Sequence, residues 1–254
     1  MTAIARLECA RLFASPLAWV LLGATQLLAG LLFVMSLTDV ALNPDHLNAY
    51  DGVSELVGAG LFRFVTLILL LVVPLLTMRA FAEERKTGTL ELLLAAPASA
   101  TEIVLGKFIG VMLYLSLSWA LIALMPLTLL IFTPLDLGVI AAGLIGLWLV
   151  MASFAAIGVF ASALTHEPTL AAVLSLAGLM LLWLIYAVAS LDWQPTLWGW
   201  SIALGSLARG VSPIGHADTL LRGIVASGDI AYFLIFVAAF LGLAVVRVDA
   251  DRRG

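Results

Sequence analysis

Three histidines, one cysteine and one dense run of charge carry the functional groups with which this 254-residue sequence could catalyse, hold a metal or dock a partner. A zinc hydrolase helix needs two histidines at i and i+4 with a glutamate beside the first. His166-Glu167-Pro168 offers the first pair of residues and then breaks the helix. His46 and His216 fall in segments that read as loops, where an isolated histidine is a plain loop residue. Cys9 has no second thiol for a disulfide or a metal site and reads as a small apolar side chain. No G-x-x-x-x-G-K-[ST] loop occurs, and no polar stretch is long enough for a nucleotide-binding fold. What remains is Met78–Lys107, where Arg79, Glu83, Glu84, Arg85, Lys86, Glu91 and Lys107 surround a Gly-Thr break. Its chemistry is that of a docking surface offered to water.

The elements that must position this run are membrane helices. The chain is 63% hydrophobic and 11% charged, with a mean hydropathy of +1.17, which leaves too little polar surface for a solvated globule. A net charge of -4 with dispersed basic residues excludes a nucleic-acid stripe. The first apolar run lacks a small-residue cleavage site, so it is expected to stay as a span. Apolar stretches at 17–37, 61–78, 103–132, 137–164, 169–191 and 230–246 each approach the ~20 residues that cross hydrocarbon. Their length, without apolar-polar alternation, makes them helices, giving an all-α polytopic protein of about six transmembrane helices. Gly143, Gly146 and Gly158 read as close-packing points, and Pro74 and Pro126 as kinks.

Basic residues near helix ends set the orientation. With both termini cytoplasmic, Arg6, Arg11, Arg79, Arg85, Lys86, Lys107, Arg247, Arg252 and Arg253 lie inside, and only Arg63, Arg209 and Arg222 lie outside. Asp39, Asp45, Asp51 and Glu55 then form an acidic outer connection. Residues 1–15, with Ile4, Leu7, Arg11 and Leu12 at helical spacing, read as a helix in the cytoplasmic interface. Residues 192–229, with Trp193, Trp198 and Trp200 near Pro195, read as short helices in the outer leaflet or as an extracytoplasmic loop.

Within the cytoplasmic region 79–102, the second span runs into a charged helical extension, and Gly88 lets the chain turn. Thr89 is placed to cap a short helix with Glu91 in its first turn, Leu90–Leu94 as its apolar body and Pro97 as its stop. Ser99 or Thr101 opens the third span, where Lys107 either snorkels to headgroups or pairs with a carboxylate. Extension, hinge, short helix and re-entry make a lever between two spans.

EERKTGTLELLLAAP at Glu83–Pro97, followed by EIVLGK at Glu102–Lys107, resembles the ABC-2 type transporter permeases. RLFASPLAWVLLGATQLLAGLLF at Arg11–Phe33 and the closing LARGVSPIGHADTLLRGIVASGDIAYFLIFVAAFLGLAVVRV at Leu207–Val248 are similar to the gliding-motility-related group of those permeases. The resemblance implies one transmembrane domain over 1–254, a second permease chain, which is a copy or a different subunit, and two copies of a separate ABC ATPase. It implies that Glu83, Glu84, Arg85, Gly88, Thr89, Glu91, Leu92 and Pro97 form the coupling region that docks on that ATPase. ATP and Mg would be bound by the ATPase, with no cofactor in this chain. The expected location is a bacterial inner membrane, among lipid, and the expected role is export. Members of the group that transmit mechanical work to a periplasmic partner are the alternative. An intramembrane enzyme or an ion-coupled transporter would need polar groups at mid-membrane, and Gln26 there reads as a helix-helix hydrogen bond.

Overall fold

Long uninterrupted apolar runs leave the backbone no partner in hydrocarbon except itself, and the chain answers with helices. The computed structural model describes residues 1–43, 56–95, 98–131, 135–189, 196–197, 200–201, 210 and 212–253. Helices α1 (Thr2–Ala14) and α2 (Pro16–Leu42) are followed by a π-helical turn, Leu56–Leu61, that leads into α3 (Phe62–Thr77). Two short helices, α4 (Ala82–Thr87) and α5 (Thr89–Ala95), precede α6 (Ala100–Leu129), α7 (Leu137–Leu164) and α8 (Pro168–Ala189). A two-residue antiparallel ladder pairs Thr196–Leu197 with Trp200–Ser201, and α9 (Pro213–Leu221) and α10 (Ser227–Arg253) complete the chain. Six helices among the described residues are long and apolar enough to span a membrane. The protein is therefore an all-α polytopic membrane protein.

The caps explain where the spans begin. Ser99 Oγ accepts from the Glu102 amide at 3.2 Å while Glu102 Oε2 accepts from the Ser99 amide at 3.0 Å, a reciprocal capping box that starts α6. Asp136 Oδ1 accepts from the Gly138 amide at 2.8 Å and opens α7. Proline stands at the first position of α2, α8 and α9, where its missing N–H costs nothing. Pro74 and Pro126 lie inside α3 and α6.

The centre of the bundle is α3 against α7. Their most apolar 18 residues are 67% and 78% buried, whereas those of α2, α8 and α10 are only 17–22% buried and face outward. Gly158 of α7 lets α3 approach so closely that an added Cβ would lie 2.0 Å from Thr77 Oγ1. Gly158→Ala is therefore expected to lower stability by about 1–3 kcal/mol through overpacking. Gly178→Ala, whose Cβ would meet Ile157 at an ordinary 3.7 Å, is expected to be neutral. Thermal unfolding of the two variants in detergent checks the pair, and equal melting temperatures would contradict the helix contact. Gly146 similarly admits Leu220 of α9, and Gly143 is buried.

A second close approach is absent from the sequence expectations. Gly106 and Gly110 of α6 would place added Cβ atoms 2.9 Å from Ile4 Cβ and 2.7 Å from Glu8 Cβ, so α1 packs directly along the first turns of α6. At ~1.5 Å per residue, α6 is about 45 Å long against a hydrocarbon core of ~30 Å, and the surplus gives α1 a place to pack. Alongside it, α2 runs the same way: Tyr114 Oη donates to the Ala18 carbonyl at 2.5 Å, and Gln26 Nε2 donates to the carbonyl and hydroxyl of Ser118 at 3.1 and 3.2 Å. The last pair is the interhelical bond expected of Gln26. Both described chain ends, α4, α5 and the turn between α7 and α8 gather at one end of the bundle.

Candidate functional site

The site lies at that end, around the break between α3 and α4. A helix interrupted at Met78–Phe81 exposes backbone groups that must find partners. Ser162 of α7 supplies them: its Oγ accepts from the amides of Phe81 and Ala82 at 2.9 and 3.0 Å and donates to the Met78 carbonyl at 2.9 Å. The turn is thus fixed to the most buried helix of the bundle. The sequence marks Ser162 only as a small polar residue in an apolar span.

Gly88 ends α4 with φ +72°, a left-handed conformation that permits the chain to reverse, and its amide donates to the Arg85 carbonyl at 3.3 Å. The hinge expected at this position is present. Thr89, expected to cap α5, is instead its first helical residue, because Gly88 already occupies the bend; the Thr89 hydroxyl pairs with Thr87 Oγ1 at 2.9 Å. Leu90 is 6% exposed among Ala80, Phe81, Ile103 and Val104, and Leu93 packs on the same cluster. Glu91, Gly88 and Thr89 are exposed. The helix is held by its leucines and presents an acidic edge. Leu92 lies in α5, its side chain and Pro97 lie outside the described residues, and so do His46, Asp45, Trp193, Pro195, Trp198 and Arg209.

The charges before the hinge pair with neighbouring elements rather than lining one outer surface, and Glu84 and Arg85 turn inward. Lys107 is 1% exposed, and its Nζ lies 2.6 Å from Glu84 Oε1 and 3.2 Å from Glu8 Oε2, with the Phe81 ring centroid at 5.1 Å. Of the two roles open to Lys107, pairing with a carboxylate is the one observed. Arg11 Nη2 lies 2.6 Å from Glu83 Oε2, joining α1 to α4. Arg85, its side chain 3% exposed, pairs with Asp251 of α10, which also meets Arg247 at 3.1 Å. Lys86 Nζ reaches Glu167 Oε2 at 2.8 Å in the turn between α7 and α8, and Arg252 Nη1 donates to the Ala98 carbonyl at 3.1 Å. The short α4 is therefore tied by charge to α1, α6, α10 and the α7–α8 turn. Glu8, Glu167 and Asp251 were not marked as site residues by sequence, which does not say which carboxylate stands opposite which cation.

Such an arrangement can carry a displacement. The Gly88 bend joins α5 to α4, and α4 is ion-paired to α1, α6 and α10. Cys9 sits beside this network on α1, and burial pushes its thiol pKa up, away from reactivity.

A second polar cluster lies at the opposite end. His216, expected in a loop, is on α9: its Nδ1 lies 2.6 Å from Asp229 Oδ1, its Nε2 lies 3.2 Å from the Gly210 carbonyl, and its ring stacks on Tyr232 at 4.0 Å. Thr219 Oγ1 donates to Asp229 Oδ2 at 2.6 Å and is not paired with the imidazole. These bonds clasp α9 to α10.

Comparison with known proteins bears on the whole chain. A family model described as ABC-2 family transporter protein matches residues 3–251. A search of curated proteins returned no match. With six apolar helices and a match across nearly its full length, the chain belongs to the ABC-2 family of transporter proteins, as a membrane-spanning permease subunit.

Proposed function

We propose that this permease is the membrane half of an ATP-driven exporter of a bacterial inner membrane, with α5 as the coupling helix that docks on a separate ABC ATPase. The observation that carries the reading is the exposed edge of Thr89 and Glu91 on a helix whose inner side is packed and whose neighbour α4 is ion-paired to three other helices. An external load applied there has a rigid route into the bundle. Two ATPase copies would act on two permease chains, with ATP and Mg held by the ATPase. The basic residues gathered at this end support a cytoplasmic position for it and for both termini.

The orientation is tested by thiol labelling in a Cys9→Ala background. Thr87→Cys is expected to react only from the cytosolic side and Asn43→Cys only from the other, both positions being exposed. Reversed labelling would overturn the orientation. The coupling role is tested by co-expression and co-purification with an ABC ATPase subunit from the same genome, which is expected to bind the wild type and to fail with Glu91→Lys.

A further inference from the structure

At the end of the bundle opposite both termini, α3, α8 and α9 enclose a crevice of about 210 Å³. Leu67, Leu70, Trp183, Ile214 and Leu221 make its walls apolar, while Arg63, Tyr186 and Asp218 stand at its polar edge. Arg63 Nη2 lies 2.5 Å from Asp218 Oδ1 and 3.2 Å from the Tyr186 hydroxyl, so its guanidinium is held in place. Half of the Arg63 side chain nevertheless remains accessible, at 50% exposure. Arg222 Nε approaches the other oxygen of the same carboxylate at 3.4 Å. Two guanidinium groups therefore share one carboxylate, and among the described residues the edge keeps a net positive charge.

We propose that this crevice binds a single-chain anionic amphiphile, its phosphate on Arg63 and its chain between α3 and α8. The charge excess matches a phosphate, which a guanidinium recognises through charge-assisted hydrogen bonds. The walls match a hydrocarbon chain. An apolar cavity of ~150 Å³ holds one benzene ring, so this crevice accepts a segment of one chain. Leu67 is 43% exposed and Trp183 38% exposed, which leaves the crevice open sideways to the bilayer. Tryptophan and tyrosine suit the headgroup depth at which an amphiphile presents its phosphate. That this is the outer leaflet rests on the orientation proposed above; the binding itself does not.

Native mass spectrometry of the purified full chain in detergent tests the site with three probes. These are a lysophosphatidylglycerol, a monoacylglycerol with the same chain, and glycerol 3-phosphate. The first is expected to bind at one per chain and at least about tenfold more tightly than either of the others. Arg63→Gln is expected to reduce the anionic lipid to the level of the neutral one. Leu67→Trp, on a half-exposed face where folding tolerates it, is expected to weaken both lipids together. Equal binding of the neutral and anionic lipids by the wild type would overturn phosphate recognition, and equal binding of glycerol 3-phosphate would overturn the chain site. Undiminished anionic binding by Arg63→Gln would overturn the assignment of the headgroup. Co-purification of Arg63→Gln with the ATPase is expected to be unchanged, so failure of this site and failure of the coupling assignment give different results.

Discussion

Lys107→Met is expected to be the most destabilising single substitution at the coupling end, lowering stability by about 3–5 kcal/mol. Among the described residues the ammonium is the only fully buried cation within ion-pair distance of both Glu8 and Glu84, and Glu84 Oε2 lacks a hydrogen-bond partner. Among the described residues, removing the cation leaves Glu8 and Glu84 beside Phe81 with only the Arg11 guanidinium, at 3.5–3.9 Å, to compensate them. Adding Glu8→Gln and Glu84→Gln removes those stranded charges, so the triple variant is expected to regain at least half of the lost stability. Coupling is expected to stay weak in the triple variant, because the link between α4 and α6 is gone. Unfolding of the three proteins in detergent, followed beside ATPase stimulation, measures both. An unchanged melting temperature for Lys107→Met would show that the network is not a structural hub.

The second large effect is expected at the bend itself. Gly88 holds φ +72°, and nothing lies within 4 Å of an added Cβ, so any cost of substitution there is conformational and not steric. Ala pays about 1–2 kcal/mol in a left-handed conformation, Asn less, and Pro cannot adopt it at all and also loses the amide bond to Arg85. Partner ATPase stimulation is accordingly expected to fall in the order wild type, Asn, Ala, Pro, with Gly88→Ala reduced roughly 5–30-fold if the bent state alone is competent. Glu91→Lys should abolish binding while leaving stability within about 0.5 kcal/mol, since the residue is exposed. A Pro variant that stimulates like wild type would remove Gly88 from the mechanism.

Much of this architecture is legible in sequence because hydrocarbon imposes a simple rule. The run at 137–164 coincides with α7, and 61–78 differs from α3 by a residue at each end. Where the limits moved, polar residues extended the helix: α10 continues through Arg247 and Asp251 to Arg253, since a helix leaving the membrane keeps its backbone bonds in water. The bend at Gly88 was equally readable, as glycine between a charged turn and an apolar helix has few other uses. The inward turn of Glu84 and Arg85 was not readable. On one strand of text they look like a hydrated cluster, and only the docking of α1 on Gly106 and Gly110 and the return of α10 show what they face. The same limit hid the clasp at His216, whose partner Asp229 lies on the next helix.

In the proposed function, α5 is the surface on which the ATPase pushes. The decisive measurement places a photoreactive amino acid at position 91 of the full chain, co-expressed with the ABC ATPase that co-purifies with the wild type. Crosslinking of position 91 to the ATPase, with none from position 43 at the far end, is the predicted result. An intact complex that crosslinks from position 43 and not from position 91 would contradict the account.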